Sequence, residues 1–519
     1  MRASDGLYRN FRWGLTGETQ EMLVRGGRVV ARGPAGSISD RGSRISDLAG
    51  KFLLPSFIDA HCHILPTGLD LKKLYLGGCS TREEILEMVG DSLTKLPPDK
   101  WLLAVHYDQT KFPDNEHLTL TELDRVTGER PAILRHVSGH ASVANSAALK
   151  AAGIGPDIPD PVGGTFRRDA SGKLDGVLLE HAHERVTAAI PDPSLDEMID
   201  AIMHAGDKMA ALGIGCASDM MTGRFDLPKE LVAYNLAAEK GCKVRLRLYV
   251  QWSAVFGRRP AMARENFEAV SRQMDHETCR VAGIKIFADG AIGSATAAIY
   301  GKFSGQPIDR RMILSKRSQK AVAVAERELD GQLMYEPDRL MGMVRTAHDA
   351  GYSLAIHSIG DYSTDLVMEA YEQLDSAKQH RVEHAMILSD AQIERMAKLG
   401  CKCTMQPEFL MRFAHSYRKQ LGPDRAAHLK RARSVLDAGI PLSFNSDRPI
   451  VAGDPMDGIR TAVHRPEGFD QSENVAVEEA LLGYTTTAAF TNDDAELMGA
   501  LEPGQVADYQ LFENDPRTL

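Results

Sequence analysis

A chain of 519 residues, 43% of them hydrophobic, can bury a large core, and its length allows roughly two to four domains or one α/β barrel with additions. The net charge of −10 is spread without any run of Lys and Arg, which argues against nucleic acid and against an anionic membrane surface as partners. Met1 is not followed by the apolar core of a signal peptide and no apolar run approaches ~18 residues, so the expectation is a soluble, cytoplasmic protein.

Residues 7–50 alternate short apolar and polar stretches, Glu21-Met-Leu-Val-Arg and then Gly27-Arg-Val-Val-Ala-Arg, broken by Gly-Gly and Gly-Pro turns. They read as hairpin strands of a small β module. Next comes Phe52-Leu-Leu-Pro-Ser-Phe-Ile-Asp-Ala-His-Cys-His63: an apolar run, a Pro-Ser break, and a short strand ending in two histidines. Alternate side chains of a strand share a face, so His61 and His63 point the same way and can hold one ion. Alone, His-x-His is a weak signal.

Between 64 and 195 the pattern is mixed, with helical periods near 81–94 and 120–127, a strand and loop in Arg130–Asn145, a turn-rich stretch at 157–169, and the short apolar Gly176–Glu180. From Leu195 onward helix and strand alternate. Helices are predicted over Leu195–Leu212, Pro228–Lys240, Arg264–Met274, 337–350, 363–375, 390–399 and 424–438. Strands are predicted over Gly215–Asp219, Val244–Val250, Gly283–Asp289, Ser353–His357, Arg381–His384, Cys401–Gln406 and Pro441–Asp447. With the strand that leads to His63 these make eight, which predicts a parallel (β/α)8 TIM barrel carrying 64–195 as an insertion after its first strand. Residues 448–500 read as helical, and 501–513 as a turn and strand able to rejoin the N-terminal module. The seven cysteines are odd in number, Cys401-Lys-Cys403 lacks zinc-finger spacing, and all read as buried free thiols.

The predicted strand ends carry the chemistry. His61 and His63 close strand one, Lys285 lies in strand four, and His357, His384 and Asp447 end strands five, six and eight. Barrels of this type gather reactive groups at the carboxyl ends of their strands, so these six side chains are expected to hold one or two divalent ions such as Zn2+. An ammonium beside cations has a lowered pKa, and a neutral Lys285 amine can add CO2 to become a carbamate bridging two ions. One ion then takes His61, His63, the carbamate and Asp447; the other takes His357, His384 and the carbamate. A hydroxide between them is the expected nucleophile, with Asp447 passing a proton to the leaving nitrogen. The alternative is a plain Lys285 paired with a carboxylate and a single ion on the histidine side.

At these residues the chain resembles the amidohydrolase superfamily, and within it amidohydrolase family 3, the group that includes N-substituted formamide deformylases. The motifs are Leu54-Pro-Ser-Phe-Ile-Asp-Ala-His-Cys-His63, Gly139-His-Ala-Ser-Val-Ala-Asn-Ser146, Gly176-Val-Leu-Leu-Glu180, Lys285-Ile-Phe-Ala-Asp-Gly290, His357-Ser-Ile-Gly-Asp361, Arg381-Val-Glu-His384, Ser446-Asp-Arg-Pro449 and Leu501-Glu-Pro-Gly-Gln-Val-Ala-Asp508. The resemblance implies a metal-bearing barrel over 54–500, a β-sandwich built from 1–53 and 501–519, and hydrolysis of amide-type C–N bonds. It also implies substrate contacts or an extra ligand at His140 and Glu180, although His140 also reads as a loop-ordering hydrogen bonder. Asp289 and Asp361 read as supports rather than ligands.

The family favours Pro-Gly where this chain has Pro55-Ser56, and a Gly-x-Gly-Trp-like run where it has Ala104-Val-His-Tyr-Asp-Gln109, a loop expected to face substrate. Trp101, Tyr107, Phe112 and Phe166 hint at an apolar or aromatic leaving group. Three functions compete: a hydrolase of an amide, N-formyl or cyclic amide; a single-metal deaminase of an amino-heterocycle; and a catalytically silent binding protein. In each the expected partner is a small molecule, and a homodimer is left open.

Overall fold

The computed structural model describes residues 2–39, 42–114, 116–136, 141–161, 164–293, 295–304 and 329–519, without the side chains of Thr110, Glu180 and His181. The described chain falls into two compact units, one of them Leu69–Ser194 and the other formed by the residues before and after it.

The larger unit is built on a parallel barrel. Its strands are β1 (Phe57–Cys62), β2 (Ile214–Thr222), β3 (Arg245–Gln251), β4 (Cys279–Phe287), β5 (Leu354–Ser358), β6 (Arg381–His384), β7 (Lys402–Met405) and β8 (Leu442–Phe444). They pair in sequence order, every pair parallel. The ring closes where Asp447 N–H donates to His61 O and His63 N–H donates to Arg448 O, each at 2.8 Å. Strands buried on both faces explain the continuous apolar runs in the sequence. Helices between them start and stop on local signals. Ser389 caps Asp390–Leu399 in a reciprocal capping box, and Gly400 ends that helix at φ +66°.

Two departures from the predicted elements bear on the site. The helix expected over 424–438 is two, Pro423–Ala427 and Ala432–Asp437, because Lys430 between them takes φ +53°. A helix not anticipated, Glu408–Leu421, follows β7. Its apolar residues Phe409, Leu410, Phe413, Tyr417 and Leu421 fall at helical spacing and join one core cluster with Ile359 and Val451.

Both chain ends enter one six-stranded sheet, in which Tyr509–Phe512 runs antiparallel to Phe52–Pro55. Phe11, Trp13, Met22, Leu53 and Tyr509 form its core. Within this sheet Phe52–Pro55 leads directly into β1, so the module anchors the strand that carries His61.

Leu69–Ser194 has its own six-stranded sheet, running from Gly164–Arg168 through Leu174–Glu180, Ala141–Ala144, Ala132–His136 and Leu102–Tyr107 to Leu74–Tyr75. This corrects two expectations. Residues 104–107 are strand rather than loop. Tyr107 and Phe112 pack in one core of this sheet and Phe166 in another, at 0%, 4% and 1% exposure, with Trp101 half-buried against the second. Tyr107, Phe112 and Phe166 are thus spent on the unit's own packing. All seven cysteines are free and buried. No helix among the described residues is long and apolar enough to cross a membrane.

Candidate metal centre

Inward positions of β1 alternate, which places Asp59 and His61 on one face. Asp59 takes a hydrogen bond from Ser446 N (3.0 Å) and another from Ser446 Oγ (2.5 Å). That pair ties the end of β8 to β1 and delivers the next residue, Asp447, to the histidines. Asp447 adopts φ +54°, a conformation few non-glycine residues take, which turns its carboxylate inward. His63 Nε2 then lies 2.9 Å and His61 Nε2 3.5 Å from Asp447 Oδ1.

A second carboxylate, Asp219, holds the backbone just after His63. Asp219 Oδ2 accepts from Ile64 N (2.9 Å) at the start of the helix that follows His63, and from Tyr234 Oη.

One nitrogen of each of these histidines and one oxygen of Asp447 fall within 4.8 Å of one another, and all three residues are buried. Asp447 Oδ1 has no aligned hydrogen-bond donor despite the short contact with His63. A buried acceptor left without a donor is costly, and two imidazole nitrogens with a carboxylate oxygen are a donor set that a divalent cation satisfies. Burial pushes the Asp447 carboxyl up, but contact with His63 and the fields of His61, His63 and Lys285 outweigh it and hold it below the usual range.

The tautomer of His61 is set behind the ring. Its Nδ1 bonds Glu383 Oε2, and Glu383 also accepts from Arg381 Nε and Thr404 Oγ1, both at 2.7 Å. Burial raises the Glu383 carboxyl, yet Arg381 and Lys285 bring it below its ordinary value. An ionised acceptor there requires Nδ1–H and leaves Nε2 as the lone-pair atom facing Asp447. Glu383 had no role in the sequence reading, although it stands in the motif Arg381-Val-Glu-His384. The available signal was parity: Arg381 and Glu383 share the inward face of β6. Alternation alone would turn His384 outward, and φ +73° at His384 reverses that.

Lys285 is 1% exposed, with Nζ 3.4 Å from His61 Nε2 and 4.8 Å from the Phe287 ring centroid. Burial lowers its pKa to about 8. Among the described residues no carboxylate lies in ion-pair contact with it, and the carboxylates whose fields it feels are those of Glu383 and Asp447. His384 lies between His61 and His357, with ring centroids at 4.7 and 4.4 Å in tilted and edge-to-face contact. His357 Nε2 faces Gly290 O at 3.0 Å and His384 Nδ1 faces Gln406 Oε1 at 3.0 Å. Burial first, then neighbouring positive charge, takes His357 to about 4 and holds His61 and His384 well below their usual value. All three rings are therefore neutral near pH 7, the form that binds metal.

Asp289 and Asp361 hold backbone. Asp289 accepts from Ile359 N (3.0 Å), Gly360 N (2.8 Å) and Ser363 Oγ (2.7 Å), which anchors the turn after His357. Asp361 accepts from Tyr300 N (3.0 Å) and pairs with Arg425 (2.8 Å). His140 and the side chain of Glu180 lie outside the described residues.

The model of a family described as the amidohydrolase family matches residues 44–519. An N-substituted formamide deformylase of Arthrobacter pascens is 28% identical over 96% of this chain and 90% of its own length. Protein LONG AFTER FAR-RED 3 of Arabidopsis thaliana is 28% identical over 95% of this chain and 83% of its own. The crystal structure of an uncharacterized metal-dependent hydrolase from Pyrococcus furiosus superposes with a TM-score of 0.79 at 24% identity, covering 99% of both chains.

Proposed function

Because the chain belongs to the amidohydrolase family, we propose that it is a metal-dependent hydrolase cleaving an amide-type C–N bond of a small molecule, an amide, N-formyl amine or cyclic amide. The observation that carries this reading is the meeting of His61, His63 and Asp447 in one buried cluster with ligand atoms within 4.8 Å. The deformylase relative supports the choice of bond. His61, His63 and Asp447 hold one divalent ion of the Zn2+ type, and His357 and His384 with Lys285 extend the set to a second. A bound ion supplies Lewis acidity and lowers the pKa of water to roughly 7. Asp447, ionised and close to two imidazoles, would hold the ion through Oδ1 and take a proton from the attacking water at its other oxygen, returning it to the leaving nitrogen. Carboxylation of the buried Lys285 would add two anionic oxygens beside His61 Nε2.

A second reading is a single-metal deaminase. It is favoured by one observation: among the described residues only His61, His63 and Asp447 meet as a converged ligand group. Metal analysis of protein purified without chelator, with a screen of N-formyl amines and cyclic amides, tests both. Two ions per chain, reduced in Lys285→Ala, support the first reading. One ion, unaffected by that change and accompanied by ammonia release from amino-heterocycles, supports the second.

A further inference from the structure

A buried cation beside the site takes no part in this chemistry. Lys430 is 2% exposed, and among the described residues no carboxylate is in ion-pair contact with it. Its Nζ donates to Gln406 Oε1 at 2.8 Å, lies 3.5 Å from His384 O, and sits 5.1 Å from the Phe409 ring centroid. The cavity it shares with Met405 and Arg465 measures about 10 Å3, room for a single water and no anion. Its backbone is held on both sides, by Lys430 N to Met386 O (2.9 Å) and by Arg465 Nη1 to Lys430 O (2.8 Å). Burying an ammonium without a counter-ion is unfavourable, and an apolar Met, one atom shorter, would fill most of the space without that cost.

What the ammonium does is decide the orientation of an amide. Gln406 Oε1 faces both Lys430 Nζ and His384 Nδ1, while Gln406 Nε2 donates to Asn445 Oδ1 at 2.8 Å. Asn445 can turn its own amide and satisfy Gln406 either way round. Burial lowers the Lys430 pKa to about 7, and below that value its ammonium has donors only, so the carbonyl oxygen that it contacts at 2.8 Å must face it. The same oxygen then requires a proton on His384 Nδ1. We infer that Lys430 and Gln406 are positioning residues that set the tautomer of His384 and keep its Nε2 as the ligand atom. The inference rests on the reading of His384 as a metal ligand. It also gives the two rings different supports: a carboxylate behind His61 and a lysine-clamped amide behind His384.

The test uses the full chain, metal-free and labelled with 15N-histidine, and reads ring tautomers by multiple-bond proton–nitrogen NMR. The His384 signals are identified by their loss in His384→Gln. The wild type is expected to show His384 as the Nδ1–H form, and Lys430→Met a mixture of both forms. Zn2+ affinity measured by equilibrium dialysis should fall about 10- to 100-fold in that variant. Adding Gln406→Glu to Lys430→Met supplies an acceptor that needs no lysine, and should restore the Nδ1–H form. A Lys430→Met protein that keeps a single Nδ1–H ring overturns the inference; should that variant fail to fold, an Nδ1–H ring retained in Gln406→Leu does the same. Wild-type protein that shows the tautomer effect but binds no ion would leave the positioning role standing and remove the metal reading.

Discussion

The ring of His61 and the carboxylate of Glu383, 322 residues apart in the chain, are joined as a hydrogen bond from Nδ1 to Oε2 inside the barrel. A metal-binding imidazole whose far nitrogen donates to a carboxylate is fixed in tautomer and made more basic, and loss of such a partner typically costs about 10–100-fold in metal affinity. Glu383→Gln should therefore weaken Zn2+ binding by that factor in equilibrium dialysis. Glu383→Ala should do more, because it also strands the fully buried Arg381, at about 3–5 kcal/mol for an ion pair broken on one side. Unchanged dialysis in both variants would remove Glu383 from the site.

Asp447 is asked to ligate and to move a proton. Asp447→Asn keeps an oxygen near His61 and His63 but cannot accept that proton at neutral pH. Turnover of any accepted substrate should drop about 10²–10⁴-fold, with the thermal midpoint close to that of the wild type. Metal content measured on the same sample separates a lost ligand from a lost shuttle. Wild-type turnover in this variant would end the shuttle assignment.

The barrel could be read from sequence because its strands are short segments, most of them rich in apolar residues, set off by helical periods, and the ligand candidates because they sit in or at the ends of those strands. Of the supporting residues Asp289 and Asp361 could be read as well, Glu383 only by its parity with Arg381, and Gln406 and Lys430 not at all. Glu383, Gln406 and Lys430 act through contacts between β6, the end of β7 and the loop between Pro423–Ala427 and Ala432–Asp437, and single-chain periodicity carries no information on which strands become neighbours. Positive φ at His384, Asp447 and Lys430 is equally invisible, since none is glycine or asparagine. The aromatic residues of the insertion misled for the opposite reason: composition alone does not distinguish a ring that lines a site from one that fills a core.

That last point can be measured. Phe166 is 1% exposed and packs with Ile133, Leu149 and Val186, so Phe166→Ala should destabilise Leu69–Ser194 by about 3–5 kcal/mol. Hydrogen exchange in Gly164–Arg168 and Leu174–Glu180 should accelerate. The more conservative Phe166→Leu should leave the ranking of aromatic against aliphatic substrates as it is in the wild type. A changed ranking in Phe166→Leu would return this ring to the substrate.

At the opening of β5, Leu354 N–H donates to His380 Nδ1 (3.2 Å), His380 Nε2 meets His348 Nδ1 (2.9 Å), and His348 Nε2 meets Asp375 Oδ1 (2.7 Å). The backbone donor fixes every proton along this row: His380 gives its Nε2–H to His348, and His348 gives its own to Asp375. A protonated His380 would need to donate where it now accepts. Burial, then the charges of His348 and Lys402, lower its pKa to about 3. The unfolded chain binds the proton at about 6.5, so this group stabilises the fold above that value and the contribution is lost as pH falls toward 3. Between pH 7 and pH 4 the loss is on the order of 3 kcal/mol. In His380→Asn the side-chain oxygen can still accept from Leu354 N–H and has no proton to take up. Chemical denaturation at both pH values should show the wild-type midpoint falling more steeply with acid than that of His380→Asn, and parallel falls would mean that His380 is not the acid-sensitive group.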